Sequence, residues 1–158
     1  MNKQNKLILT QLALTALKER YPSFPEHAIP VPKYSDATAN GLTKCIIDLI
    51  LFSGGHAERI SNQGQYRDNT KISTDVLGRQ RTIGTKGWTK GQGQNGTADI
   101  SALYRGKSFR IEVKIGKDKM SDAQKKYKEQ VEMAGAYYII AKNYDDFILD
   151  FKAILLNK

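Results

Sequence analysis

The hydrophobic pattern changes period several times along the chain. Residues 5–20 place Leu9, Leu12, Ala13, Ala16 and Leu17 on one stripe, which predicts an amphipathic first helix. All four prolines then fall between Pro22 and Pro32, so Tyr21 to Tyr34 is expected to be extended, either as a linker or as an arm wrapped on the domain. A second helix is predicted from about Ala39 to Phe52, stopped by Gly54-Gly55, followed by a strand from His56 to Asn62. Ala98 to Tyr104 and Ser108 to Ile115 carry the β-branched and apolar content of two strands joined by Arg105-Gly106-Lys107. A third helix is expected over about Asp122 to Ala134, with Ser121 as its N-cap and Gln124 in capping-box position. Ala136 to Ala141 is almost continuously apolar, as in a strand buried on both faces, and Asn143 opens a last helix bearing Phe147, Ile148, Phe151, Ile154 and Leu155. This order predicts an α/β fold, a mixed sheet covered by helices.

The turn fixes what the paired strands hold in common. A two-residue turn at Arg105-Gly106 sets Asp99 opposite Glu112, whereas a turn at Gly106-Lys107 sets Asp99 opposite Lys114. In either register Asp99, Glu112 and Lys114 share one face. Two carboxylates held close repel one another, and a bridging cation removes that penalty. Carboxylate oxygens suit magnesium or manganese, and a nearby ammonium stabilises charge on a phosphate. The chemistry that fits is metal-dependent hydrolysis of a phosphodiester. The competing reading is an exposed cross-strand ion pair between Glu112 and Lys114, which would be worth little.

Composition sharpens this. The chain has 158 residues, one domain's worth, and a formal charge of +9, which favours a polyanionic partner as well as solubility. Gly64 to Gly96 carries seven of the 13 glycines, with Arg67, Lys71, Arg79, Arg81, Lys86 and Lys90 against Asp68 and Asp75. Trp88, the only tryptophan, lies among them. We read this stretch as a loop that contacts substrate, with Trp88 stacking on a base; the alternative is a solvated loop with Trp88 tucked into the core. The single cysteine, Cys45, rules out an internal disulfide, fits a reducing compartment and is expected to be a packed small hydrophobe. No apolar run reaches the length of a transmembrane helix, and Leu7–Leu17 lacks the small-residue site that would follow a signal peptide.

Asp99, a strand, Glu112-Val113-Lys114, a helix and an apolar strand together resemble the PD-(D/E)xK nuclease superfamily, with its restriction-endonuclease-like fold. The pattern is most similar to the VRR-NUC branch and to small phage or archaeal-resolvase-like nucleases. The resemblance covers about Asn40 to Lys142, and implies a nuclease domain at 39–158 preceded by the helix and proline-rich arm of 1–38 within one globular body. It implies Asp99, Glu112 and the Val113 carbonyl as ligands of magnesium, which manganese could replace. It implies Lys114 as the residue that positions or activates water and offsets phosphate charge. Gln124 matches a glutamine lining the site in that branch, or serves only the capping box. Arg59, Arg79, Arg81, Lys86, Trp88 and Lys90 are candidate DNA contacts. Ala98 stands where the family usually has proline, and no acid occurs near Asn40 or Thr43, where the family often has a glutamate; Asp48 lies two turns on, expected on a solvated face. One magnesium is therefore expected. The implied protein is a cytoplasmic deoxyribonuclease of a bacterium or a phage-infected cell, with a possible homodimer through Tyr137-Tyr138 and the last helix. A junction or flap resolvase and a non-catalytic DNA-binding module are the alternatives.

Overall fold

The computed structural model describes residues 1–61, 64–89, 91 and 93–156. In chain order the elements are α1 (Lys3–Arg20), a 3-10 turn (Glu26–Ala28), α2 (Ala39–Phe52), β1 (His56–Arg59), β2 (Gln65–Asp68), β3 (Lys71–Thr74), β4 (Gln80–Ile83), β5 (Lys86–Thr89), β6 (Ile100–Tyr104), β7 (Lys107–Val113), α3 (Asp122–Met133), β8 (Tyr137–Ala141) and α4 (Tyr144–Leu156). They form two compact bodies, Met1–Ile60 with Asn95–Lys158, and Ser61–Gln94.

The larger body is a mixed α/β structure. Its sheet runs β1-β6-β7-β8, antiparallel except for the parallel β7–β8 pair. β6 and β7 are joined by a two-residue turn in which Arg105 (φ 48°) and Gly106 (φ 74°) both take positive φ, the primed turn that matches strand twist. Tyr104 therefore pairs with Lys107 and Ile100 with Ile111, and this register carried one step further sets Asp99 opposite Glu112. Of the two registers the sequence allowed, this is the first.

Alternation divides the sheet into two faces. Phe109, Ile111 and Val113 of β7 point with Ile139 and Ala141 of β8 into the apolar core, where Leu42, Ile46 and Ile50 of α2 and Phe147 and Phe151 of α4 meet them. The Phe109 ring lies 5.0 Å from Phe151 and 5.5 Å from Tyr137. Arg110, Glu112 and Tyr138 occupy the other face, beside α3. Leu9 and Ala13 of α1 are fully buried in the same core, so the first helix is part of this body. The proline-rich arm is wrapped on it too, burying Ile29 and Tyr34, and is extended apart from a turn at Tyr21–Phe24 and the Glu26–Ala28 turn.

Two expectations change. β1 ends at Arg59 instead of Asn62, which lies outside the described residues; Ile60 still donates its amide to the Asp99 carbonyl at 2.8 Å. Asp48 is not on a solvated face, since it accepts from the Tyr34 hydroxyl at 2.9 Å and pairs with Lys44. Cys45 is buried as expected, and desolvation pushes its thiol up to about 11, so it carries no thiolate at neutral pH.

In the smaller body the stretch read as a loop is mostly strand. β2 pairs with β5 and β3 with β4, all antiparallel. Gln65 faces Thr89 and Thr74 faces Gln80, and the pairing keeps one register through both ladders. The result is a two-stranded ribbon with a two-residue interruption on each strand. Every strand residue in it is exposed. At its tip the Asp75 carboxylate accepts from the amides of Leu77 and Arg79, at 2.9 and 2.8 Å.

Candidate active site

Asp99, Glu112, Lys114 and Gln124 come together on the sheet face beside α3. Asp99 sits just before β6, half-buried, and its Oδ2 accepts the Val113 amide at 2.9 Å. This ties the aspartate to the end of β7. Its other oxygen has no partner among the described residues.

Glu112 is 2% exposed. Its Oε1 accepts from Lys114 Nζ at 3.1 Å and from the Gln124 side-chain amide. Its Oε2 is buried with no hydrogen-bond partner among the described residues. A buried carboxylate oxygen without a partner costs free energy unless a bound group or a nearby donor satisfies it. Burial accordingly raises the Glu112 pKa above the ordinary carboxylate value; Lys114 opposes that rise and the Asp99 charge adds to it.

Lys114 is 8% exposed and also faces Asp118 Oδ2 at 3.3 Å. Burial lowers its pKa, but the hydrogen bonds and charges of Glu112 and Asp118 outweigh burial, and the net movement is upward. The side chain is therefore an ammonium at neutral pH. It can hold charge or orient water.

The two readings of Gln124 hold together. Its Oε1 accepts the Ser121 amide at 2.9 Å while Ser121 Oγ accepts the Gln124 amide at 3.3 Å, closing the capping box. The amide group at the other end of the same side chain reaches Glu112. The start of α3 thus aims a donor into the site. Gly96 makes this approach possible: at φ 83°, a Cβ there would come within 2.5 Å of the Ala123 carbonyl oxygen and 2.7 Å of the Gln124 amide nitrogen.

The sequence did not single out Tyr138 as part of a site. Its hydroxyl is buried, on the face that carries Glu112, and makes no hydrogen bond of ordinary geometry among the described residues. Burial raises its pKa first, the charges of Glu112 and Asp99 raise it further, and hydrogen bonding toward the Glu112 carboxylate adds to the rise, so the hydroxyl lies close to Glu112 with Asp99 nearby. The Tyr127 ring on α3 meets the Tyr138 ring edge-on at 6.3 Å. Only the alternation within AYYIIA could have placed Tyr138 on the polar face, and an almost wholly apolar run hides that alternation.

The arrangement fits a divalent cation. Two unpartnered carboxylate oxygens, one of them buried, are hard donors of the type magnesium and manganese take. Among the described residues no group of three or more His, Cys, Asp or Glu side chains is placed to hold a metal. The protein's share would be Asp99, Glu112 and the Val113 carbonyl, with water completing the shell.

The nucleic-acid candidates belong to both bodies. Arg59, at the end of β1, donates to Asn40 Oδ1 at 2.9 Å. Arg79, Arg81, Lys86 and Trp88 lie on the ribbon, where Trp88 is 69% exposed and directly opposite Tyr66, so it is not tucked into a core. Lys86 is paired with Asp68 at 2.7 Å, which offsets its charge. Lys90 lies outside the described residues. No helix among the described residues is long and apolar enough to cross a membrane. No protein-family model matches the chain, and no curated protein matches it at a significant level.

The raised Glu112 pKa carries a prediction. Between the unfolded value near 4.5 and the higher folded one, the native state binds the extra proton, so stability rises as pH falls through the folded pKa. In metal-free buffer the wild type is therefore expected to gain stability relative to Glu112→Gln as pH is lowered from neutral to about 5. Denaturant midpoints of the two proteins across that range measure it; a difference that does not move with pH contradicts the assignment.

Proposed function

We propose that the protein is a magnesium-dependent deoxyribonuclease of the PD-(D/E)xK type on a restriction-endonuclease-like fold, hydrolysing DNA phosphodiester bonds, most simply as an endonuclease. The observation that carries this reading is the Glu112 carboxylate. It is buried, held through one oxygen by Lys114 and Gln124, and its other oxygen is left unpartnered beside Asp99. A surface ion pair would need neither the burial nor the second carboxylate.

Bound there, magnesium or manganese would supply Lewis acidity to the phosphate and a lowered pKa to its water. The chain's own residues do the rest. Asp99, fixed by the Val113 amide, and Glu112, fixed by Gln124 and Lys114, present oxygens without having to reorganise. The Lys114 ammonium, kept protonated by Glu112 and Asp118, offsets charge that develops on a phosphoryl oxygen. Arg59 and the basic ribbon supply affinity for the polyanion that carries no sequence choice.

Cleavage of supercoiled, linear duplex, single-stranded and branched DNA with magnesium or manganese, by wild type beside Asp99→Ala, tests the proposal. Metal-dependent cutting by the wild type and none by the variant is expected. Cutting that survives the substitution would remove Asp99 from the chemistry, and an inert wild type that still binds DNA would leave a non-catalytic binding module on the same fold.

The double role of Gln124 can be separated. Gln124→Ala is expected to cost about 1 kcal/mol of stability through the lost cap. Gln124→Glu restores the capping box but sets a third carboxylate against buried Glu112, whose repulsion offsets the regained cap, so neither the stability nor the cutting rate should recover fully. Denaturation midpoints and initial rates on the same samples decide it: a rate that returns with the cap means the residue acts through the helix alone.

A further inference from the structure

The ribbon is the part of the molecule with the most exposed chemistry and no use within its own body. All sixteen residues of its four strands are exposed. Among them Ile72 is 71% exposed and Tyr66 64%. A two-stranded ribbon with no covered face is marginal in water on its own. Its charge is one-sided as well. Asp68 is occupied by Lys86 and Thr70, and the Asp75 carboxylate by the amides of the tip. Arg67, Lys71, Arg79 and Arg81 have no acidic partner among the described residues. In the β3–β4 ladder, Lys71 opposite Ile83 and Arg81 opposite Ser73 fall on the same face.

We propose that this ribbon is a docking element for double-stranded DNA, laid into the major groove with Lys71 and Arg81 directed to the phosphates. The inference rests on the nuclease reading and deepens it by naming the form of the substrate. Three features support it. The major groove of B-form DNA, about 12 Å wide, admits a two-stranded ribbon, whereas the deep, narrow major groove of an RNA duplex does not. One register maintained from Gln65–Thr89 to Thr74–Gln80 gives ten residues per strand, roughly 33 Å at about 3.3 Å each, close to one turn of the double helix. A groove also contacts a ribbon along both sides, and here both sides are bare. A single strand would instead call for successive aromatic platforms, and this ribbon has one opposed pair, Tyr66 and Trp88.

The test is binding of a short random-sequence duplex, and of either of its strands alone, in EDTA, where no metal-dependent cutting takes place. Wild type is compared with Lys71→Ala/Arg81→Ala and with Trp88→Ala by fluorescence anisotropy over a range of salt. The double variant is expected to bind duplex at least about tenfold more weakly, with the slope of log K against log salt shallower by about 2. Thermal unfolding should be unchanged, since both side chains are exposed and unpaired. Unchanged duplex affinity and slope would overturn the proposal. So would tighter binding of the single strand than of the duplex, lost in Trp88→Ala. The result is independent of catalysis: ribbon-dependent duplex binding by a protein that cuts nothing with metal would remove the nuclease reading alone, and cutting with no dependence on the ribbon would remove this one alone.

Discussion

Lys114→Met is expected to lower the rate of magnesium-dependent cutting by about 10²–10³-fold, the usual consequence of removing one preorganised charge-stabilising group. The group in question is an ammonium 8% exposed, held at 3.1 Å from Glu112 and 3.3 Å from Asp118. Methionine fills a similar volume and carries no charge. Glu112 is then left buried with Gln124 as its remaining partner, and breaking a buried pair from one side typically costs about 3–5 kcal/mol. The glutamate can recover part of this by taking up a proton, the direction in which burial already pushes it. Rates are therefore compared at a temperature where denaturation curves show both proteins folded. A folded Lys114→Met that cuts at the wild-type rate would remove the lysine from the chemistry.

Gly96→Ala should disturb both the fold and the site, although glycine carries no functional group. Alanine there must hold φ near 83°, which costs an L-residue about 1–2 kcal/mol. It must also push its Cβ into the Ala123 carbonyl and the Gln124 amide, and overpacking of that kind adds about 1–3 kcal/mol. The relief available is movement of the first turn of α3, which withdraws Gln124 from Glu112. A loss of about 3 kcal/mol is expected together with a loss of cutting. Gly54→Ala is the control, because Gly54 has φ 84° and nothing lies within 4 Å of the place its Cβ would take. It should cost only about 1 kcal/mol and leave cutting intact. Equal losses of stability in the two variants would mean that backbone conformation, not the contact with α3, sets the effect.

The larger body was legible in the sequence to the extent that burial writes a period into it. α2, α4 and the β6–β7 pair each bury one face, α3 half-buries Gln124, Tyr127 and Val131, and their boundaries were readable to within a few residues. The capping box at Ser121 and Gln124 was legible because its two residue types have a fixed spacing. The site residues came together because alternation fixes which side of β7 Glu112 and Lys114 take. The ribbon was not legible as strands for the complementary reason. A strand exposed on both faces has no hydrophobic alternation, and the glycines and lysines between Gly64 and Gly96 read as loop. Its pairing is carried by the backbone, on which side-chain pattern is silent. Pairings between residues distant in the chain, such as Tyr34 with Asp48, were likewise invisible until the arm was seen to wrap.

The proposed nuclease chemistry requires that Asp99 and Glu112 jointly hold the metal that supports cutting. Calorimetric titration of manganese into wild type, Asp99→Asn and Glu112→Gln, with cutting rates measured on the same samples as manganese is raised, tests it directly. Saturable binding to the wild type, lost in both variants, with cutting that rises over the same metal concentrations, is the predicted result. Binding that survives in both variants, or cutting in the wild type that saturates where no metal is bound, would contradict it.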